Sequence, residues 1–354
     1  MASSTPTIEE LLKQQTFKTI NAEQVQSFMK YGFLRIPGAI PIENCDRWSK
    51  DVWHRLGMDP NDKSTWTTER NHMAKLNVVP AKEIAPKAWA AICELCGGED
   101  RIAKGGEMWT DGFIVNLGSP ETEGKKTPPK ELGLWHVDGD FFTHFLDSPE
   151  QALLVIPCWS DIEKNGGATW ICDEGPKKIG QFLYDHPEGL NPMMCPREEP
   201  IVYAVEHSVF NTIIRDASDE GFHEMTGKKG DVILMHPLML HSASENGRRL
   251  ARIITNPPVS LAAPFQFNRD NPADYSLVEL KTMQDLGGPE KFKDWKITGE
   301  REMFAPGQVQ RKTELRALEN ERLRKLGLKT GDESISQLPY LMVSRQPMGI
   351  NTGV

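Results

Sequence analysis

Short apolar runs separated by turn residues occupy the middle of the chain, and they restrict the fold more than any other feature. Each run is rich in β-branched and aromatic residues and is bounded by Gly, Pro, Asn or Asp, as strands usually are. The runs cover residues 112–116, 132–138, 152–159, 168–171, 202–205, 231–235 and 251–255. Few helical patterns lie between them, which favours an antiparallel sandwich or barrel. We therefore predict a mainly β protein with flanking helices.

Helical patterns lie on both sides of this region. Amphipathic periodicity covers residues 1–30, 43–57 and 82–97, and Asn21 has the sequence context of a helix N-cap. A strand is expected to follow Tyr31 and to end at Pro37-Gly38. Near the C-terminus, residues 300–328 form a charged helical stretch, whose apolar positions are Leu315, Leu318 and Leu323.

This pattern predicts three parts in the chain. Residues 1–100 form a helical N-terminal flank that contains the first strand, residues 101–263 form the β core, and residues 264–354 form a C-terminal extension packed on that core. A chain of 354 residues is long enough to bury a substantial core in this arrangement.

Composition and charge exclude several classes of protein. The net charge of −9 argues against a general binder of nucleic acid or of anionic membranes, both of which favour basic surfaces. No apolar run has the length that a membrane span requires. The first residues lack the basic and apolar regions of a secretory signal, so we expect a cytoplasmic protein.

Six cysteines are present, and in a long cytosolic chain they are expected to be free thiols. Cys93 and Cys96 form a single CxxC pair within a helical pattern. Because no second pair follows at the spacing of a zinc ribbon, structural zinc is disfavoured.

The run at residues 131–138 carries the first chemical signal, His136-Val-Asp138. We interpret this run as a mostly buried strand, on which residues two apart project to the same face. His136 and Asp138 would then enter one cavity, where a second histidine would complete a facial triad for ferrous iron. Taken alone, the pair is equally compatible with a structural hydrogen bond between His and Asp, so the rest of the chain must supply the context.

Residues 230–244 offer two candidates for the third ligand, His236 and His241, and the residues themselves do not decide between them. Arg252 follows in another apolar run. A buried cation needs a partner, and a dicarboxylic acid would suit it because the guanidinium binds carboxylates through two hydrogen bonds.

Other chemical residues have plainer interpretations. His186-Pro-Glu188 is a rival His-x-carboxylate pair, but it lies in a loop rich in Pro and Gly that would splay the two side chains. Phe141, Phe142 and His144 follow the His136 run directly, where they would either line a substrate pocket or pack in the core.

Taken together, these features resemble the phytanoyl-CoA dioxygenase family of iron(II)- and 2-oxoglutarate-dependent oxygenases. The resemblance extends over about residues 25–260. It is carried by the segment from Gly32 to Ile40, by His136-x-Asp138, by Asn165-Gly-Gly-Ala-Thr169, by the segment from Gly230 to His241, and by Arg252 eleven residues after His241.

The resemblance implies a double-stranded β-helix, which is a jelly-roll or cupin-like core. It implies that His136, Asp138 and His241 bind Fe(II), with His241 chosen over His236 by its spacing to Arg252. It also implies that Arg252 anchors the distal carboxylate of 2-oxoglutarate and that Thr169 hydrogen-bonds the same cosubstrate.

The chain departs from the family pattern at two places. Leu134 stands two residues before the first ligand, where many fungal members have Gln, and Cys172-Asp-Glu-Gly175 replaces the usual Pro-Gly-Ser-His. Related halogenases carry Gly or Ala at the position of Asp138, so this aspartate implies oxidation rather than halogenation.

The expected function is therefore oxidation of a C–H bond in a small metabolite by dioxygen, as hydroxylation, desaturation or cyclisation, with release of succinate and CO2. Two alternatives remain open: a zinc-dependent hydrolase on the same ligands, and a non-catalytic β-barrel that binds a small molecule. The sequence does not indicate the substrate or the oligomeric state.

Overall fold

The computed structural model describes residues 5–199, 208–304 and 309–331. The helices of these ranges are α1 (Ile8–Leu12), α2 (Ala22–Tyr31), α3 (Ile42–Ser49), α4 (Val52–Leu56), α5 (Ala81–Ile84), α6 (Pro86–Cys96), α7 (Gly175–Asp185), α8 (Val209–Asp216), α9 (Leu277–Asp285) and α10 (Val309–Lys325). The strands are β1 (Phe33–Ile36), β2 (Arg70–His72), β3 (Val78–Pro80), β4 (Met108–Thr110), β5 (Ile114–Asn116), β6 (Leu154–Pro157), β7 (Thr169–Cys172), β8 (Phe222–Glu224), β9 (Val232–Met235), β10 (Leu240–Ala243) and β11 (Arg252–Ile254).

The strands form several small antiparallel sheets. Three of these have three strands each, in the orders β1-β9-β6, β10-β7-β8 and β11-β5-β2, and a fourth pairs β3 with β4. The fold is thus mixed α and β, and five of the seven predicted runs contain a strand. The run at 202–205 lies outside the described residues.

The N-terminal elements follow their sequence signals. Asn21 caps α2 in a reciprocal pair with Gln24, and Gly32 ends this helix with a φ of 76°, in the left-handed region. β1 comes next, and the helical pattern over residues 43–57 corresponds to α3 and α4. These predictions are confirmed.

The predicted strand at residues 131–138 is wrong. Leu134 has a φ of 64°, which interrupts an extended chain, and its side chain is 69% exposed. Main-chain pairing in this segment is limited to an isolated bridge between His136 and His241. His241 itself lies on β10, a strand that we did not predict.

Two helices were also missed within the β region. α7 has Pro176 in its first turn, and α8 begins after Ser208, whose hydroxyl accepts the hydrogen bond of the Asn211 amide. Both are ordinary start signals for a helix.

The C-terminal part of the chain enters the main core. α9 is buried on nearly all sides and contacts α1, α2, α6 and α7. On α10, Leu323 is buried against Ala74 and Leu76. Leu318, which we expected on the apolar face, is 44% exposed.

A buried ion cluster fastens α10 to the rest of the protein. Arg55 on α4 binds Glu319 through Nε at 2.8 Å and Asp111 through Nη1 at 2.9 Å. All three side chains are nearly inaccessible to solvent. None of the helices in the described ranges has both the length and the apolar character of a membrane span.

Candidate metal centre and anion site

Three side chains converge at one point of the structure. One potential ligand atom from each of His136, Asp138 and His241 lies within 4.8 Å of the others. An oxygen of Asp138 is 3.5 Å from Nε2 of each histidine. Among the described residues, this is the one group of three or more His, Cys, Asp or Glu side chains arranged closely enough to hold a metal ion.

Main-chain hydrogen bonds explain why these side chains meet. β10 carries His241, and the isolated bridge joins His136 to it through bonds of 3.0 and 3.1 Å in both directions. The Ser242 hydroxyl donates to the Gly133 carbonyl, which holds the preceding loop against β10. The structure thus brings the side chains of His136 and Asp138 together as predicted, although the segment that carries His136 is a loop and not a strand.

The orientation of both imidazoles suits metal binding. Nδ1 of His136 lies 2.7 Å from the Leu134 carbonyl, and Nδ1 of His241 lies 3.1 Å from the Met239 carbonyl. Since a carbonyl only accepts, Nδ1 carries the proton in both rings. The lone pair of each Nε2 is then free for a metal, as is usual when the other ring nitrogen of a metal-binding histidine donates to a carbonyl.

The charges at this point are strongly coupled. Burial of Asp138 would by itself raise the pKa of its carboxyl, but the two imidazoles outweigh burial and hold that pKa well below its usual range. Burial would likewise lower the pKa of His136, but the hydrogen bond and the charge of Asp138 raise it overall. A carboxylate that stays ionised between two imidazoles is a suitable donor set for a divalent cation.

The loop after Asp138 packs closely around the site. Gly139 has a φ of 122°, and a Cβ there would come within 2.7 Å of the rings of Phe142 and His144. His144 is buried, stacks on Phe142, and donates from Nε2 to the Gly139 carbonyl at 2.7 Å. Burial lowers the pKa of His144 to about 4, so this ring is a neutral packing element beside the site.

His236 lies elsewhere in the core. Its Nδ1 accepts the Leu238 amide at 3.2 Å, so its Nε2 carries the proton and donates to the Thr282 hydroxyl at 2.9 Å. Both ring nitrogens are therefore occupied. Burial lowers its pKa well below the usual value. The structure thus excludes His236 from the converging group.

Arg252 is buried on β11 and has an unusual set of partners. Its Nε donates to the Gly167 carbonyl at 2.7 Å, and its Nη1 approaches the Ile114 carbonyl at 3.3 Å. No carboxylate of the described residues lies within ion-pair distance of it. Burial and the nearby Arg70 lower its pKa to about 10. A buried guanidinium without a counter-charge marks a place for an anion.

Strand register places Thr169 on the same face as His241. On the paired strands β7 and β10, Thr169 stands opposite Ala243 and Ile171 stands opposite His241. Directly paired residues share a face, and so do residues two apart along a strand. Thr169 is buried there.

Asn116 connects the sheet of Arg252 to the segments beside β7 and β10. Its side chain donates to the Ser244 carbonyl at 2.9 Å and reaches the Gly167 carbonyl at 3.5 Å. A Cβ on Gly167 would come within 2.5 Å of the Asn116 amide, so only glycine allows this approach. Our sequence analysis missed Asn116, although an Asn at the end of a predicted strand was a visible signal.

The rival chemical groups do not join the metal centre. His186 and Glu188 form a surface pair at 2.8 Å. We expected these two side chains to point apart, and that prediction is wrong. All six cysteines are free, and Cys96 is buried on α6.

Comparisons with known proteins identify similar solved structures and a matching family. Among solved structures, the non-heme alpha-ketoglutarate-dependent carbocyclase SnoK from nogalamycin biosynthesis is similar, with 14% identity, a TM-score of 0.38, and coverage of 73% of this chain and 87% of that chain. HygX from Streptomyces hygroscopicus, solved with nickel, 2-oxoglutarate and hygromycin B, has 12% identity, a TM-score of 0.39, and coverage of 77% and 100%. AviO1 from Streptomyces viridochromogenes Tue57 has 13% identity, a TM-score of 0.37, and coverage of 71% and 99%.

A comparison with curated proteins gave no match. The family model described as phytanoyl-CoA dioxygenase (PhyH) matches residues 28–249, which is well over half of the chain. The matched range contains His136, Asp138 and His241, and it ends just before Arg252. The chain belongs to the phytanoyl-CoA dioxygenase family.

Proposed function

We propose that this protein is an iron(II)- and 2-oxoglutarate-dependent oxygenase that oxidises a C–H bond of a small metabolite. The observation that carries the proposal is the convergence of His136, Asp138 and His241 in a member of a dioxygenase family. Two neutral imidazoles and one carboxylate are the ligand set of non-heme iron oxygenases, and they leave coordination positions open for other ligands.

The metal would be held by Nε2 of His136, Nε2 of His241 and a carboxylate oxygen of Asp138. When bound, ferrous iron supplies the activation of dioxygen that drives oxidation of the substrate. The chain's own contribution is orientation: the Leu134 and Met239 carbonyls fix both imidazoles with Nε2 towards Asp138. Asp138 also supports oxidation over halogenation, because its carboxylate would fill the ligand position that a halogenase with Gly or Ala there leaves to a halide.

The cosubstrate would be anchored at the buried guanidinium of Arg252, which lacks a counter-charge among the described residues. The Gly167 carbonyl that accepts from Arg252 lies two residues before Thr169, and β7 pairs with the strand of His241. The anion site and the ligands are thus connected through adjacent strands. Thr169, on the face of His241, would hydrogen-bond the same cosubstrate.

We infer that the small antiparallel sheets are parts of a double-stranded β-helix, with residues 101–263 as the catalytic core and residues 1–100 as the N-terminal flank. The extension from residue 264 would pack on both. Two main-chain bonds support the packing of the extension on the core, since the Thr143 amide donates to the Glu302 carbonyl and the Phe304 amide donates to the Phe141 carbonyl. The extension therefore borders the loop that follows Asp138.

One experiment tests the proposal directly. Anaerobic addition of ferrous iron and then 2-oxoglutarate to the protein should produce the weak visible charge-transfer band of a 2-oxo acid chelated to iron(II), and admission of dioxygen should release succinate. A protein that binds zinc, gives no such band and forms no succinate would instead be a hydrolase on the same ligands. A protein that binds neither metal nor 2-oxoglutarate would be a non-catalytic binding barrel.

A further inference from the structure

Residues 298–304 of the C-terminal extension, here called the strap, run beside the loop that follows Asp138. The Thr143 amide of the loop donates to the Glu302 carbonyl of the strap at 2.9 Å, and a second main-chain bond, of 2.7 Å, joins the two segments two residues later along the strap. The strap lies outside the family match, which ends at residue 249. Its contacts with the loop therefore belong to this chain's own extension.

Arg301 makes the charged contact between the strap and the loop. Its Nη2 lies 2.7 Å from Oδ1 of Asp147, and its guanidinium lies over the ring of Phe145, 5.1 Å from the ring centroid. The side chains of Arg301 and Asp147 are both less than a fifth exposed. Solvent and salt screen such a pair less than they screen a pair on the open surface, so the contact holds the two segments together more firmly.

Arg301 also compensates two buried carboxylates of this region. Burial raises the pKa of Asp147 and of Glu150, and the charge of Arg301 acts in the opposite direction on both. Oε2 of Glu150 is buried and has no hydrogen-bond partner among the described residues. Loss of the guanidinium would leave both acids without this compensation, and a buried charge without a partner is costly. The loop would then have to shift or open.

The loop connects Phe145 to the main chain beside Asp138. His144 stacks on Phe142 and donates from Nε2 to the Gly139 carbonyl at 2.7 Å. Gly139 directly follows Asp138, and it lies so close to both rings that a Cβ would not fit. Because these groups are closely packed, a shift of Phe145 would move His144 and, through it, the main chain next to Asp138.

We infer that Arg301 is a positioning residue for the proposed metal centre. It fixes the strap on the loop, and the loop in turn fixes the direction of the Asp138 carboxylate towards His136 and His241. This inference rests on the proposed function, because it assumes that a metal ion binds these three side chains. It makes the C-terminal extension part of the support of the metal centre.

Two measurements on the full chain test the inference. Calorimetric titration with nickel ions measures metal affinity, and hydrogen exchange of the metal-free protein measures how firmly the strap holds the loop. The variants are Arg301→Gln, Arg301→Lys and Asp147→Asn, the last of which removes the same ion pair from the side of the loop. Glu302→Gln is the matched control, because its side chain is half exposed and pairs with Arg197. Arg55→Met is a second control, since it breaks a buried ion pair of α10 instead.

We expect Arg301→Gln and Asp147→Asn to raise the dissociation constant of nickel about 10-fold, the lower end of the range for groups that orient metal ligands. The Thr143 amide should exchange several-fold faster in both metal-free variants. Arg301→Lys should recover most of the affinity, because the pair with Asp147 uses one nitrogen, which an ammonium can replace. Glu302→Gln should match the wild type, and Arg55→Met should lose stability but not metal affinity.

Three results would overturn the assignment while the proposed function stands. The first is wild-type nickel affinity in Arg301→Gln or, if that variant does not fold, in Asp147→Asn. The second is an equal loss of affinity in Arg55→Met, which would assign the effect to lower stability in general. The third is a failure of Arg301→Lys to recover affinity, since the charge would then not position the loop. If the wild type itself binds no metal ion, the proposed function fails and the inference fails with it.

Discussion

The Leu134 carbonyl accepts a hydrogen bond from Nδ1 of His136 across 2.7 Å, and Leu134 itself has a φ of 64°, in the left-handed region. A residue in the left-handed conformation thus provides the hydrogen bond that orients the proposed metal ligand two residues later. A leucine adopts this conformation rarely, so the strain is held by the surrounding contacts.

We predict that Leu134→Val weakens metal binding, whereas Leu134→Gly does not. A β-branched residue resists a positive φ, and glycine accepts it while lacking the same side chain. Loss of the hydrogen bond between Nδ1 of His136 and the Leu134 carbonyl should lower metal affinity by about 10-fold or more in the valine variant. Calorimetric titration with ferrous or nickel ions measures this. Equal losses in both variants would assign the effect to the leucine side chain instead.

The second prediction separates the two histidines of residues 230–244. His241→Ala should abolish iron-dependent succinate formation and leave the thermal unfolding temperature nearly unchanged, because it removes a ligand from a cavity. His236→Ala should lower the free energy of unfolding by about 2–4 kcal/mol, since the Leu238 amide and the Thr282 hydroxyl lose a buried partner, while iron binding persists. The reverse pattern would show that the ligand is His236. His136→Ala and Asp138→Ala should behave as His241→Ala does.

The third prediction concerns Arg252. Removal of one partner from a desolvated ion pair costs on the order of 2–5 kcal/mol. Arg252→Ala should therefore raise the dissociation constant of 2-oxoglutarate roughly 30-fold or more, at about 1.4 kcal/mol per tenfold. Arg252→Lys should recover only part of the affinity, because an ammonium cannot form the paired hydrogen bonds of a guanidinium. The charge-transfer band provides the titration signal, and wild-type affinity in the alanine variant would refute the role of Arg252.

The fourth prediction concerns the ion cluster beneath α10. Arg55→Met would leave the carboxylates of Asp111 and Glu319 buried without a cation, which should lower the free energy of unfolding by about 3–5 kcal/mol. Arg47→Met, at an exposed position on α3, should change it by less than about 0.5 kcal/mol. Urea unfolding measures both, and hydrogen exchange should show faster exchange of the α10 amides in the Arg55 variant. Stability equal to that of the Arg47 control would mean that the cluster is dispensable.

The fifth prediction follows from the pKa of His144, which burial lowers from 6.5 to about 4. Between pH 6.5 and pH 4, His144 is protonated in the unfolded chain but stays neutral in the folded protein. The free energy of unfolding should therefore fall as the pH is lowered from 6.5 to 4. At 1.36 kcal/mol per pH unit, the loss from this group approaches about 3 kcal/mol. His144→Gln should show a shallower decline between these pH values. Parallel curves for the variant and the wild type would contradict the shift.

Local signals predicted the elements whose ends are fixed by neighbouring residues. The reciprocal cap between Asn21 and Gln24 predicted the start of α2, and the apolar run before His236 predicted β9. The signals for α7 and α8 were of the same kind, a proline in the first turn and a serine N-cap, and they were overlooked in a region that we had assigned to strands.

Local sequence signals could not predict the conformation of the segment before His136. Leucine carries no preference for a positive φ, and the bonds that hold Leu134 and Gly133 come from His136 and from Ser242 on a strand about a hundred residues later. The pairing of Arg70 with Asn116 is equally non-local, because nothing in the sequence around residue 70 indicates which strand it joins. Side-chain types and the family resemblance thus predicted that His136, Asp138 and His241 lie together, and tertiary contacts determine how these side chains are oriented.

The burial of α9 has a consequence for the order in which the protein acquires its structure during synthesis. This helix contacts α1, α2, α6 and α7, and its Thr282 completes the hydrogen bonds of His236. The N-terminal helices therefore leave the ribosome long before their main packing partner exists. We expect a nascent chain halted at residue 249, the end of the family match, to keep an apolar surface open and to depend on chaperones. Once residues 277–285 have left the ribosome, α9 could pack against the N-terminal helices and cover this surface.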